Sequence, residues 1–442
     1  MSFSFPTRRS KEPSPLVQWL DQPRSQWWCV ASWVVATAVF ISVTTLLGGL
    51  TELDALLSTY SSWLIAHGNV ACAYPPGGSV DFPLTAPLYP VVAGGLAALF
   101  RVGHGFPFPN QAALGHNCLT WLAPMTRWSN QTHALTPTLR FGYIGWFALA
   151  AGIVAVMRSS GRGRNGWEPA ILIAVACTPP VFMCLQSLFH PQDLLAMGLI
   201  LLGVSCAQRN AWMWAGVLMG LAFASQQFAL LAVALLFVIV PAKRRLAFSS
   251  SAVATIAVIV IPLMALSSGR ALRVALTGSA GGGALVTSIP WEFHLTGSSA
   301  NDVLRALPVI AVVGLALWAR RRLSNAVMEP VVLISLLATT LALRLVFEGG
   351  LYGYYFMATA VSIVLLDFIR RTFRVEVILW VALVALVFSP LPWGRDRLTY
   401  GVHMWVWQLV LVPPAVALAI SPLIDRIKRQ RSSAPIAADA TS

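Results

Sequence analysis

Charge is scarce in this chain of 442 residues: 10% of its side chains are charged, against about 25% in soluble domains. Lysine is nearly missing, present only at Lys11, Lys243 and Lys428. There are 16 acidic residues and six cysteines, with no Cys-x-x-Cys and no His-x-x-x-His pair. No periodic repeat appears, and no polar stretch of domain length separates the apolar runs. Each shortage removes a class. A soluble chain this long would split into several domains, each needing a charged surface that is not here. A disulfide-stapled scaffold and a metal site of fixed ligand spacing lack their residues. A disordered or collagen-like chain lacks its composition.

What is present is apolar, 57% of the residues, and the bilayer is the solvent that suits it. All but three of the 30 basic residues are arginine. They cluster at Arg8/Arg9/Lys11/Arg24, Arg158/Arg162/Arg164, Lys243/Arg244/Arg245, Arg320/Arg321/Arg322, Arg370/Arg371/Arg374 and Arg426/Lys428/Arg429/Arg431. Each cluster ends or precedes a long apolar run, as the positive-inside rule expects of cytoplasmic loops. The net charge of +14 is therefore a topology signal, and no nucleic-acid partner is expected.

The first apolar run, 27–47, is long enough to span and too long for a signal-peptide core, with no small-x-small cleavage site after it. Further runs fall at 84–100, 138–157, 169–185, 194–207, 212–225, 228–240, 252–266, 304–319, 330–346, 355–369, 377–388 and 406–420. Basic residues at both ends place both termini in the cytoplasm, which demands an even number of crossings. Either 84–100 is re-entrant or 111–125 crosses too, so 12 to 14 transmembrane helices are expected. The reading is an all-α polytopic protein of the cell membrane. It has a tail at 1–26, a transmembrane domain at 27–425 and a tail at 426–442. The tail sequences, 1–25 and about 430–442, read as lacking structure. Outer loops at 48–83, 102–137 and 267–303 carry interfacial helices.

All seven histidines fall in outer segments on this map, so chemistry or binding is expected at the outer face. Ionisable groups beside a bilayer are costly without a task or a partner. Glu52 and Asp54 follow the first span closely. A carboxylate there can act as general base on a hydroxyl acceptor, or it can cap a helix. Arg344 and Glu348 fall on one helix face at i,i+4, a functional or a structural ion pair beside Gly349-Gly-Leu-Tyr-Gly-Tyr-Tyr355. His190-Pro-Gln-Asp193 makes a short turn in which His190 and Gln192 are binding candidates and Asp193 is one too, or an N-cap. Gln226 and Gln227 suit recognition of hydroxyls, or glue between helices. Trp291-Glu-Phe-His294 joins an aromatic to ionisable groups, as a sugar-stacking site or an interfacial anchor. Cys29, Cys177, Cys184 and Cys206 read as small core residues. Cys72 and Cys118, both in outer loops, are expected to be bridged.

Several of these features resemble the integral-membrane type C glycosyltransferases. They are the acidic residue just after the first span, the apolar stretch 56–66, the re-entry Phe82-Pro-Leu-Thr-Ala-Pro-Leu-Tyr-Pro90 and the outward loops. Within that group the likeness is to family 87, the polyprenol-phosphate-mannose-dependent mannosyltransferases of actinobacteria. His190-Pro-Gln-Asp193 occupies the place of that family's polar outer turn, and Ala215-Gly-Val-Leu-Met-Gly-Leu-Ala222 matches its Gly-containing segment. Where the family carries a Lys, this chain reads Ser225-Gln-Gln227. The likeness covers about residues 27–260.

The resemblance implies transfer of a sugar (mannose or another pentose or hexose) from a polyprenyl-phosphate carrier to a cell-envelope lipid or glycan acceptor on the outer face. Asp54 then matches the catalytic base. The donor phosphate or sugar would be held by Arg344, Glu348, His190, Gln192, Asp193, Gln226, Gln227, Arg270, Arg273, Arg305, Tyr354 and Tyr355. Glu52, His67, Trp291 and His294 are the acceptor-side candidates. The resemblance implies the polyprenyl-phosphate-linked sugar as donor substrate and fixes no cofactor. Some type C enzymes use a divalent cation, which Asp54 with other carboxylates could ligate. The alternatives are a lipid or glycan transporter or flippase, and a non-catalytic subunit of an envelope assembly, which the Gln at the Lys position favours.

Overall fold

A computed structural model describes residues 15–46, 61–62, 64–66, 68, 73, 86–99, 135–186, 189–266, 288–295, 298–388 and 403–432. Among them the regular structure is helical, with one isolated antiparallel bridge between Pro23 and Asn165. In chain order the helices are α1 (Pro15–Asp21), α2 (Gln26–Leu46), α3 (Leu88–Leu99), α4 (Leu135–Ser159), α5 (Trp167–Ala176) and α6 (Pro179–Gln186). Next come α7 (Pro191–Gln208), α8 (Trp212–Ser225), α9 (Ala229–Ile239), α10 (Arg245–Leu266), α11 (Ile289–Glu292) and α12 (Ser298–Leu323). The last four are α13 (Pro330–Arg344), α14 (Met357–Arg370), α15 (Val375–Phe388) and α16 (Met404–Ser432).

Among the described residues, seven helical segments are long and apolar enough to cross a bilayer, eight if the bent pair α5–α6 counts as one span. The helices α8, α9, α13 and α15 are apolar but shorter. The expected 12 to 14 crossings require that these short helices cross as well, as helices packed against protein can. The chain is thus all-α with the long apolar helices of a multi-pass membrane protein.

Burial sorts these spans into a centre and a rim. The apolar windows of α7 and α14 are 83% buried, those of α2, α10 and α12 only 22–28%. α7 is apolar around its whole circumference, which is the pattern of a helix enclosed by others. The rim helices turn Val30, Val34, Val253, Val258, Ile261 and Ile310 outward, a surface that suits lipid and not water.

Close packing at the centre depends on missing side chains. α4 and α7 run parallel, with Ser205 Oγ donating to the Ala155 carbonyl at 2.9 Å. A Cβ on Gly198 would sit 2.3 Å from the Ala148 carbonyl carbon. Gly216 and Gly220 do the same for α8 against α10, where added Cβ atoms would meet the carbonyl oxygens of Phe248 at 2.2 Å and Ala252 at 2.6 Å. In lipid, where apolar burial between helices gains little, such contact is the main packing force. The Ala215–Ala222 segment that carried the family resemblance therefore has a packing role.

The span at 169–185 is bent by 58° between α5 and α6, where Pro179 and Pro180 follow Thr178. Proline withdraws backbone donors and disfavours helical conformation in the residue before it. Thr178 Oγ1 returns a hydrogen bond to the Ala174 carbonyl at 2.8 Å. Cys177, expected in the core, lies exposed at this break, while Cys29 and Cys184 are buried and Cys206 is partly so.

Residues 15–25, expected to be an unstructured tail, fold as α1 and a docked turn. Leu20 is buried, Trp167 Nε1 donates to Asp21 Oδ1 at 2.9 Å, and Arg371 Nη1 pairs with Asp21 Oδ2 at 2.7 Å. Composition hid this because the residues that capture the segment lie about 150 and 350 positions away. At the other terminus α16 continues through Ser432, so the described part of the second tail is helical too.

Candidate functional site

The two ends of the bundle carry different chemistry. α7 alone runs about 27 Å between them at 1.5 Å per residue. At one end gather the arginine clusters that follow α4, α12 and α14, with Arg426 near the close of α16. At the other end, described polar residues from four places converge: the start of α7, the α8–α9 junction, the end of α13 and the turn before α14.

The start of α7 is set by Phe189, held at φ +46° with its side chain fully buried. A bulky residue in the left-handed region is uncommon and costly, and it persists where packing over-determines it. The turn delivers His190 as N-cap of α7, without a side-chain capping bond. Pro191 then occupies the first helical position, where its missing N–H costs nothing. Asp193 is therefore not the N-cap that one sequence reading offered. Its side chain crosses to α8 instead, where Gln226 Nε2 donates to Asp193 Oδ1. The Gln226 amide thus serves the interhelical reading. Beside it, Ser225 Oγ donates to the Gln192 carbonyl at 2.9 Å.

His190 stacks on Tyr354, ring centroids 4.1 Å apart at 11°. The Gln192 amide nitrogen lies 2.8 Å from His190 Nδ1. Burial pushes the His190 pKa down to about 3, so the imidazole is neutral at physiological pH. Tyr354 meets Tyr355 edge-on at 4.6 Å, and Tyr352 completes the aromatic group at 5.8 Å from Tyr354.

Arg344 and Glu348 form the ion pair that their spacing predicts. The α-helix has already ended at Arg344, so the intervening turn, not continued helix, closes the pair. The guanidinium lies 4.9 Å from the Phe228 ring centroid and 5.3 Å from that of Tyr355. Its Nε serves Glu348; among the described residues its two Nη groups have no hydrogen-bond partner. The side chains are 13% and 21% exposed, so the pair is partly open.

Two acceptors at this end are buried without partners among the described residues, Gln192 Oε1 and Gln227 Oε1. An unmade hydrogen bond at a buried polar atom costs about 1–3 kcal/mol. Reversing the Gln192 amide exchanges its oxygen for its nitrogen and leaves the other one unmatched. Together the fork, the neutral imidazole, the amide acceptors and three tyrosine rings can receive a ligand that is anionic at one point and bears hydroxyls beside it.

One residue of this region escaped the sequence reading. Gln408 on α16 is buried; its Nε2 donates to the carbonyls of Leu345 at 3.2 Å and Glu348 at 3.0 Å. Its Oε1 accepts from the Ile289 amide at 2.7 Å. It pins the turn that presents Glu348. Its signal was there: a lone amide within the apolar run 406–420.

Other expected residues stand apart. Trp291 and His294 are exposed, on and just after α11, joined to the cluster through the Ile289–Gln408 bond. Arg305 is half-buried on the N-terminal part of α12. Asp54, Glu52, His67, Arg270 and Arg273 lie outside the described residues, as do Cys72 and Cys118. No group of three or more His, Cys, Asp or Glu poised to hold a metal occurs among the described residues. No protein-family model matches the chain, and no curated protein matches it.

Proposed function

We propose that this protein is a membrane glycosyltransferase of the type C architecture, transferring a sugar from a polyprenyl-phosphate carrier to a lipid or glycan acceptor at the face opposite its arginine clusters. What supports the reading is the gathering at one end of the Arg344 Nη groups and the amide oxygens of Gln192 and Gln227, unpartnered among the described residues, with stacked tyrosines. A guanidinium matches phosphate oxygens in a planar fork, and amide acceptors match sugar hydroxyls. The lipid tail of such a donor stays in the bilayer while its phosphate and sugar meet this end of the bundle.

In the proposed reaction Asp54 takes the acceptor hydroxyl proton and the acceptor oxygen attacks the anomeric carbon. The bond from that carbon to the phosphate oxygen breaks, and the lipid phosphate leaves with its negative charge against Arg344. Glu348 orients the guanidinium, and Gln408 holds the turn that carries Glu348. The test is transfer of radiolabelled sugar in membranes from cells with and without the protein. Wild type should yield a labelled product, and Asp54→Asn should yield nearly none; full activity in that variant would end the base assignment.

A second reading, a lipid or glycan transporter, draws on the 58° break between α5 and α6, since discontinuous helices mark substrate paths in transporters. Uptake into proteoliposomes without any transfer product would favour it over the first.

A further inference from the structure

At the arginine end, two cavities of about 620 Å³ and 450 Å³ share Trp33, Arg158 and Arg164 as lining residues. Ligand pockets commonly measure about 300–1,000 Å³. The larger adds Arg209 with Ala151, Val154 and Ala155 of α4; the smaller opens along α2 past Val30 and Val34. No acidic side chain lines either one.

The three arginines are not equivalent. Arg158 is clamped by Glu168, with Nε to Oε2 at 3.1 Å and Nη2 to Oε1 at 2.8 Å. Arg164 is fixed by its backbone: its N–H donates to Glu168 Oε2 at 3.0 Å and its carbonyl accepts from Arg24 N at 2.8 Å. Its φ of +60° is a strained conformation for a side chain of that size. The Arg164 guanidinium itself is exposed and has no hydrogen-bond partner among the described residues, and the same holds for Arg209. Glu168 thus serves the Arg158 side chain and the Arg164 backbone, leaving the guanidiniums of Arg164 and Arg209 for an anion. Val30 and Val34, which border the opening, are 54% and 63% exposed on a helix of strong mean hydropathy, so the groove opens toward lipid.

We propose that this groove binds an anionic glycerophospholipid, its phosphodiester headgroup between Arg164 and Arg209 and an acyl chain along Trp33, Val30 and Val34. A soluble anion would use the arginines and gain nothing from the valines, whereas a lipid uses both. Basic pockets between membrane helices attract anionic headgroups by their charge. The site lies at the opposite end of the bundle from the proposed sugar site and stands whether or not that reading does.

The test is native mass spectrometry of the full-length protein released from phosphatidylcholine vesicles made with or without phosphatidylglycerol. Wild type should retain one phosphatidylglycerol and no selective phosphatidylcholine. The Arg164→Gln/Arg209→Gln variant alters only exposed side chains and should bind at least about tenfold more weakly, given about 1 kcal/mol for each arginine lost near an anionic surface. Arg321→Gln/Arg322→Gln removes the same charge elsewhere and should leave retention unchanged. The proposal is overturned if wild type shows no preference for the anionic lipid or if the two variants lose binding equally. Displacement of the lipid by inorganic phosphate or by glycerophosphoglycerol as effectively as by intact lipid would overturn it too, since the acyl contacts would then count for nothing.

Discussion

The two ends of the helix bundle place their ion pairs differently. At the arginine end, several described acids are matched to cations that tie separate segments together. Glu168 holds Arg158, Asp21 holds Arg371, Asp367 holds Arg374 and Glu329 holds Arg426. Arg374 further reaches the Leu418 carbonyl at 3.0 Å and Ser421 Oγ at 3.1 Å on α16. At the far end the Arg344–Glu348 pair closes a local turn, and among the described residues its Nη groups stay unused and the Gln192 and Gln227 amide oxygens go unmatched. Ion pairs between separate segments build a scaffold, even though Arg371 Nε, Arg374 Nη2 and Arg426 Nε stay buried without partners among the described residues. A pair confined to one turn leaves its guanidinium fork for a ligand.

That contrast is open to direct attack. Arg158→Met leaves Glu168, which is 1% exposed, without its cation and with only the Arg164 N–H as donor. Orphaning a buried charge costs about 3–5 kcal/mol, and the 40% exposure of Arg158 places this case near the lower limit. Thermal unfolding in detergent should show the loss as a clear drop in Tm, and an unchanged Tm would mean that the clips at this end are ornamental. Arg344→Gln should behave the other way, with sugar transfer reduced about 100-fold, the scale of losing one donor to a developing oxyanion, at nearly wild-type Tm. A large fall in Tm with proportionate activity would make the pair structural and erase the distinction between the ends.

Gln408→Leu leaves the Leu345 and Glu348 carbonyls without their amide donor. A loss of about 1–3 kcal/mol is expected, with KM for the lipid-linked donor raised as Glu348 loosens. The smallest effect concerns His190. Its folded-state pKa of about 3 lies below the ordinary 6.5, so the unfolded chain takes up a proton first as pH falls. Stability from this residue is complete above pH 6.5 and is lost as pH falls toward 3, by about 1.4 kcal/mol per pH unit at the steepest. In His190→Phe, which keeps a ring on Tyr354, the decline of Tm between pH 6.5 and 5 should be shallower than in wild type; parallel curves would remove His190 as its cause.

Much of this was legible along the chain, for reasons particular to each case. The Arg344–Glu348 pair was readable because an i,i+4 spacing brings two side chains together even where the helix runs out. The His190–Asp193 turn was readable because ionisable residues between two apolar runs are rare. The alternative of Asp193 as a cap fails because its partner, Gln226, belongs to another helix. Gln408 went unnoticed because a single amide says nothing of the backbone carbonyls it will meet. The docking of residues 15–25 was hidden for the same reason, its partners being Trp167 and Arg371.

Composition and order alone determined the solvent, the helical class and the clustering of most arginines beside the apolar runs, because transfer of each residue between oil and water is a local property. Which polar groups end up matched, and which are left over to meet a ligand, was decided only when helices packed, because a hydrogen bond needs two atoms within about 3 Å and the chain brings them there from far apart.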